Sequence, residues 1–154
     1  FNTSRGEVIQ YNVFLQKDPR TNDVPYSGDT ISIDKRTIYV TVDNSYPSNC
    51  VDNAAALLDL TTFLRDNSFS VNIAFMNETY ARENRKIHMT CEKKPETEVI
   101  ELFGGNRTEV IVNGNCHQII IGPECKVREA EEKFKIRTII DAKNKSSTGV
   151  FSLS

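Results

Sequence analysis

The sequence predicts a mostly β protein: one antiparallel two-sheet β-sandwich domain spanning residues 1–154, with one short helix near residues 52–66 and disulfide bonds. Three observations predict it. Residues 68–76 alternate strictly, with Phe69, Val71, Ile73 and Phe75 on one side and Ser70, Asn72 and Ala74 on the other, the period of a half-buried strand. Residues 110–121 place Asn113-Gly114 between two apolar runs, the signal of a two-residue hairpin whose turn needs positive φ. Only residues 52–66 show a clear helical spacing, through Ala56, Leu57, Leu60, Phe63 and Leu64, with Asp52 placed as an N-cap.

The elements follow in chain order. Residues 7–16 set Ile9, Tyr11, Val13 and Leu15 on one face, and residues 30–34 and 37–43 read as two further strands parted by Lys35-Arg36. After the helix and the strand at 68–76, residues 85–91 align Ile87, Met89 and Cys91. The hairpin follows, and Gly122-Pro123 ends its second strand. Residues 127–134 form a candidate second short helix through Val127, Ala130 and Phe134, and strands are expected at 135–141 and 148–153. Short strands with turns between them and one helix laid across make a sandwich.

With 154 residues the chain buries a sizeable core. The formal net charge of −2 argues against nucleic acid, which calls for a basic face, and the absence of a long apolar run excludes a membrane-inserted helix. Charge is uneven: residues 92–132 hold nine acids and five bases, whereas 133–154 hold five bases against Asp141. Ordinary solvated faces explain this, and an acidic patch steering a basic partner is the functional alternative.

Four sequons, at Asn2, Asn77, Asn106 and Asn144, accompany four cysteines. With 14 Asn and 24 Ser/Thr, roughly two sequons arise by chance, so four favour the secretory pathway or secretion. An even cysteine count agrees with an oxidising compartment. The sequence opens at Phe1 without a leader, which fits a processed start. Cys116 and Cys125 flank an extended run, and five extended residues span ~16 Å, beyond the ~4.4–6.8 Å Cα separation of a disulfide. Unless Gly122-Pro123 folds the chain back, bridges run from Cys50 or Cys91 to the later pair, stapling distant parts at ~3–4 kcal/mol.

Catalytic signatures are missing: no nucleophile elbow, Walker loop, dinucleotide glycine pattern or His-Glu-x-x-His occurs, so no enzyme activity and no cofactor are expected. A zinc site from Cys91, Cys116, Cys125 and a histidine lacks a Cys-x-x-Cys knuckle, and disulfides are the better reading. Gly104-Gly105-Asn106 reads as a turn. Glu129, Glu131 and Glu132 interleave with Lys126, Arg128 and Lys133 and read as a solvated, self-neutralising face. His88 and His117 are candidate pH switches at an interface, since an unshifted imidazole titrates near ~6.5.

The C-terminal half, with Arg85-Lys86-Ile87-His88-Met89-Thr90-Cys91-Glu92, a charged loop, a hairpin, Cys116, a β run and Cys125, resembles the poxvirus immune-evasion fold. Gly6 to Val13 and the strand Ile38 to Val42 ahead of Cys50 fit the same layout. The family includes secreted chemokine-binding proteins and an MHC class I-retaining protein. The resemblance implies a two-sheet sandwich, a lumenal or extracellular location and no catalysis. The expected function is capture of a host immune protein: MHC class I first, because the chain is compact and nearly neutral, and a chemokine second. An adhesion or receptor ectodomain is the remaining alternative.

Overall fold

The structure, a computed structural model, describes residues 21–31, 33, 36–93 and 96–153, with side chains as far as Lys143. The described residues form β1 (Tyr26–Gly28), β2 (Thr37–Val42), α1 (Asn53–Asp66), β3 (Ser70–Phe75), α2 (Glu78–Glu83), β4 (Ile87–His88), β5 (Glu98–Gly104), β6 (Glu109–Asn113), β7 (Cys116–Ile121) and α3 (Val127–Leu153). All seven strands lie in one sheet, in the order β1-β6-β7-β5-β2-β3-β4. Only β6 and β7 pair antiparallel; every other pair is parallel.

This corrects the antiparallel two-sheet sandwich. Alternation reports the two faces of a strand and is silent on the direction of its neighbour. Direction is set by the connections. The 14-residue α1 between β2 and β3 is long enough to carry the chain back, so β3 pairs parallel to β2 from Thr37↔Ser70 to Val42↔Phe75. The expected strands at 135–141 and 148–153 lie inside α3, and the helix expected at 127–134 is its first part. Of the strand expected at 85–91 only Ile87–His88 pairs. The described residues Thr30, Ile31 and Ile33 form no strand, and the strand expected at 7–16 lies outside the described residues. The hairpin forms one residue later than expected: Asn113 pairs with Cys116, so Gly114-Asn115 make the turn. Gly114, at φ +58°, supplies the positive φ that the first turn position of a type II′ hairpin requires.

The core lies between one sheet face and α1 with α3. From the sheet come Ile38, Val40, Ile100, Leu102, Val110, Val112, Ile119 and Ile121, and from the helices Ala56, Leu60, Phe63, Leu64, Val127, Ala130 and Phe134. Asp52 occupies the N-cap position of α1 but makes no side-chain cap bond. Asn77 does cap α2, accepting from the Tyr80 amide, and the Tyr80 ring packs tilted against Phe75 with centroids 5.1 Å apart.

On the opposite face the described covering is the β4–β5 crossover. It steps across the sheet by identifiable bonds: the Thr41 hydroxyl donates to the Met89 carbonyl at 2.8 Å, and the Cys91 amide donates to Glu101 Oε2 at 2.9 Å. Cys91 is then joined to Cys116, the first residue of β7. A small second core of Ala74, Met89 and Val99 lies beneath it. The other disulfide, Cys50–Cys125, ties the turn entering α1 to the turn entering α3. Parallel sheets keep both faces covered; among the described residues helices do this on one side, and a covalently tacked loop lies over β2, β3 and β5 on the other.

Removing each bridge by paired Cys→Ala substitution measures this arrangement. The Cys91–Cys116 bridge closes a separation of 25 residues and Cys50–Cys125 one of 75. The loop-entropy relation then assigns losses of roughly 3.5 and 4.5 kcal/mol, read from urea midpoints. Equal unfolding curves with and without the bridges would contradict it.

Candidate functional site

In an open, mostly parallel sheet, ligands settle beyond the carboxyl ends of the strands where the chain order reverses. Here β2 has β3 on one side and β5 on the other, so the reversal lies between β2 and β5. The loop after β2 fills that place. The Asp43 amide donates to the Leu102 carbonyl at 2.9 Å, and Asp43 Oδ2 accepts from the Ser45 amide at 3.0 Å and from the Ser45 hydroxyl. The Ser45 hydroxyl oxygen accepts from the Gly104 amide at 3.0 Å. A Cβ at Gly104 would stand 2.3 Å from the Ser45 carbonyl oxygen, so glycine is what lets the loop close the crevice. Tyr46 then turns inward, donating to the Asn53 carbonyl at 3.1 Å. Its phenol is pushed up to about 12, first by burial and then by the charge of Glu131.

A second constellation lies inside the protein. Glu98 of β5 and His117 of β7 face the helices and meet at 2.8 Å between Oε2 and Nε2, each side chain 1% exposed. The His117 ring stands edge-on to Phe134 at 5.7 Å, and its Nδ1 has no hydrogen-bond partner among the described residues. Between α1 and α3, Lys135 Nζ lies 3.1 Å from Asp59 Oδ2 and 3.1 Å from Glu131 Oε1. Arg128 Nη1 reaches the same Asp59 oxygen at 3.2 Å. The Glu131 contact is close but lacks hydrogen-bond geometry. Burial is the largest influence on Glu131, outweighing the pull of Lys135, and its carboxyl is raised to about 8. Glu131 is therefore a neutral acid at pH 7, which reduces the charge held in a dry interior.

Asp59, Glu131 and Glu132 each offer an oxygen within 4.8 Å of the others, a spacing that suits a divalent cation. The Lys135 ammonium already stands against two of the three, so the chain carries its own cation there. A cavity of about 10 Å³ adjoins Glu131 and Tyr46 and is otherwise lined by apolar side chains such as Leu60, Leu102 and Ile119. That is room for about one water, far below the ~300 Å³ or more of a ligand pocket.

The residues expected from the sequence do not assemble into one site. The cysteines form two bridges, Cys50–Cys125 and Cys91–Cys116. Asn77 and Asn106 are exposed; Asn2 and the Asn144 side chain lie outside the described part. His88 is half-buried on the edge strand, with Lys93 Nζ 3.3 Å from its Nδ1. His117, by contrast, is in the core, which removes it from any contact surface and corrects its reading as an interfacial switch. The solvated face expected at Glu129–Glu132 is also corrected: Glu131, Glu132 and Arg128 are buried. Glu98, Glu101, Glu131 and Glu132 are all buried, so four of the nine acids in the supposed acidic patch are not on the surface. Sequence reasoning passed over Asp59, Glu98 and Lys135. The signal that finds Lys135 is the buried series Val127, Glu131, Phe134, Lys135, Thr138 and Asp141, a helical stripe written partly in charged residues. Comparison with protein-family models, curated proteins and solved structures finds no match to this chain.

Glu131 sets a pH dependence with a definite sign. Its folded value, about 8, exceeds its ordinary 4.5, so between these values the folded state holds the proton and the unfolded state does not. Stability from this group falls as pH rises through that window, by up to ~1.4 kcal/mol per pH unit, and levels off above it. Glu131→Gln removes the term. Urea unfolding at pH ~5 and ~9 should show the variant gaining a few kcal/mol on the parent between the two. A difference independent of pH would contradict the assignment.

Proposed function

We propose that this chain is an extracytoplasmic domain that works by binding another protein through its surface. The observation that carries this reading is the closed crevice: Asp43–Tyr46 occupies the place where a sheet of this kind takes a small ligand, with Gly104 in contact. The interior charges support it. Glu98, His117, Glu131 and Lys135 are each nearly inaccessible, and a catalytic acid or base must reach its substrate, so these groups serve the fold. Two disulfides fit an oxidising compartment, and exposed sequons at Asn77 and Asn106 agree with passage through the secretory pathway. MHC class I and chemokines are ligands that the sandwich resemblance implies. The single mixed sheet is a different architecture, so neither ligand is part of this proposal.

Two measurements test it. Alkylation of the native protein under denaturing, non-reducing conditions should label none of the four cysteines, and labelling of all four would place it in a reducing compartment. Cross-linking at the cell exterior, followed by reconstitution with the purified partner, should give a saturable complex. Paired Cys→Ala removal of Cys91–Cys116 should weaken that complex through loss of the crossover's order. A purified chain that turns over a small substrate and forms no such complex would overturn the proposal.

A further inference from the structure

We infer that Asn77 and Asn106 both carry N-linked glycans standing side by side on the carboxyl rim of the sheet, and that Asn106 accepts its glycan only before β6 and β7 close. The inference rests on the extracytoplasmic reading above. Val42 of β2 pairs with Phe75 of β3 on one side and with Leu102 of β5 on the other, all three parallel. Asn77 follows Phe75 by two residues and Asn106 follows Leu102 by four. Both sequons therefore leave the same end of the sheet. Gly105 and Arg107, on either side of Asn106, lie against the end of β7, so the two sequons stand about three strand spacings or ~14 Å apart, with the Asp43–Tyr46 loop between them. Two bulky sugars at that distance cover the loop that closes the crevice, and direct any partner to another face.

In the transfer, the Asn Nδ2 bonds to the first sugar carbon of a lipid-pyrophosphate-linked oligosaccharide. The sugar–phosphate bond breaks, lipid pyrophosphate leaves, and the amide nitrogen gives up one proton. The sequon hydroxyl two residues on is part of what is recognised. The two sequons differ in that hydroxyl. Asn77 and Thr79 are both exposed, and the cap bond uses Asn77 Oδ1, accepting from the Tyr80 amide at 2.8 Å, not the nitrogen that takes the sugar. Asn106 is exposed too, but Thr108 is 3% exposed. Its hydroxyl oxygen accepts from the Gly122 amide at 2.9 Å, its hydroxyl bonds to Glu124 and helps hold that carboxyl below its usual value, and its amide donates to Glu124 Oε1 at 3.1 Å. Gly122 follows β7, so these bonds form only when β7 is in place and then withdraw the hydroxyl. Asn106 is left to a race between transfer and folding, while Asn77 is not.

Glycopeptide mass spectrometry of the full chain made in secretory cells tests this, with and without a membrane-permeant thiol reductant that delays both disulfides. Asn77 should be occupied under both conditions, and the occupied fraction at Asn106 should rise severalfold with reductant. Asn77→Gln and Asn106→Gln assign the two sites. Thr79→Ala should remove the Asn77 glycan at unchanged stability, whereas Thr108→Ala should also lower the unfolding midpoint. An unmodified Asn77, or an Asn106 fraction indifferent to reductant, would overturn the inference. The chain purified from its own cells separates the two levels. Bare sequons with both disulfides closed defeat the glycan inference alone, and bare sequons with four free thiols defeat the location beneath it.

Discussion

One buried ammonium organises this molecule. Lys135 is 1% exposed and stands 3.1 Å from both Asp59 of α1 and Glu131 of α3. An unpaired charge in such a place costs several kcal/mol, and attraction offsets this only when the partners are held in place. The cation therefore fixes how α3 lies on α1, and through α3 the position of the Phe134 ring that stands edge-on to His117. Glu131 keeps its proton, and burial is the physical cause.

The two sheet faces are held by different means, and this follows from topology. Strands β2, β3 and β4 run outward in order, joined by helices, and the chain then has to return past β3 and β2 to place β5. That return crosses the opposite face with few residues and little apolar surface. Hydrogen bonds from Thr41 and to Glu101 position it, and the Cys91–Cys116 bridge fixes its far end. The second bridge works on the helix layer, joining the starts of α1 and α3. The Cys91–Cys116 bridge thus supports the thinly packed crossover, whereas Cys50–Cys125 lies within the main core.

What was legible in the sequence was local. The helix at Asn53–Asp66 and the strands around Val40, Ile73 and Ile119 are visible because their buried positions are apolar. The β2–α1–β3 succession was visible as well, and a 14-residue helix between two strands should by itself have argued for parallel pairing. Less legible were the elements whose buried positions are polar. β5 carries Glu98 and Glu101, both buried, which broke its apolar run. In α3 the inward stripe includes Glu131, Lys135, Thr138 and Asp141, and the β-branched residues around Ile136 and Ile139 then read as strand. The site went unread for the same reason: charges spaced as a solvated face are here the interior of a helix pair. Which side of a charged helix is dry is decided by what packs on it, not by its own residue spacing.

The central claim is that the Asp59–Lys135 pair is an interior lock and not a solvated surface contact. A double-mutant cycle with Asp59→Asn and Lys135→Met, measured by urea unfolding, addresses it directly. A buried, coupled pair should give an interaction energy of about 2 kcal/mol or more, with each single variant more damaging than the pair together. A coupling near zero, with additive losses of the few tenths expected at an exposed ion pair, would contradict the account.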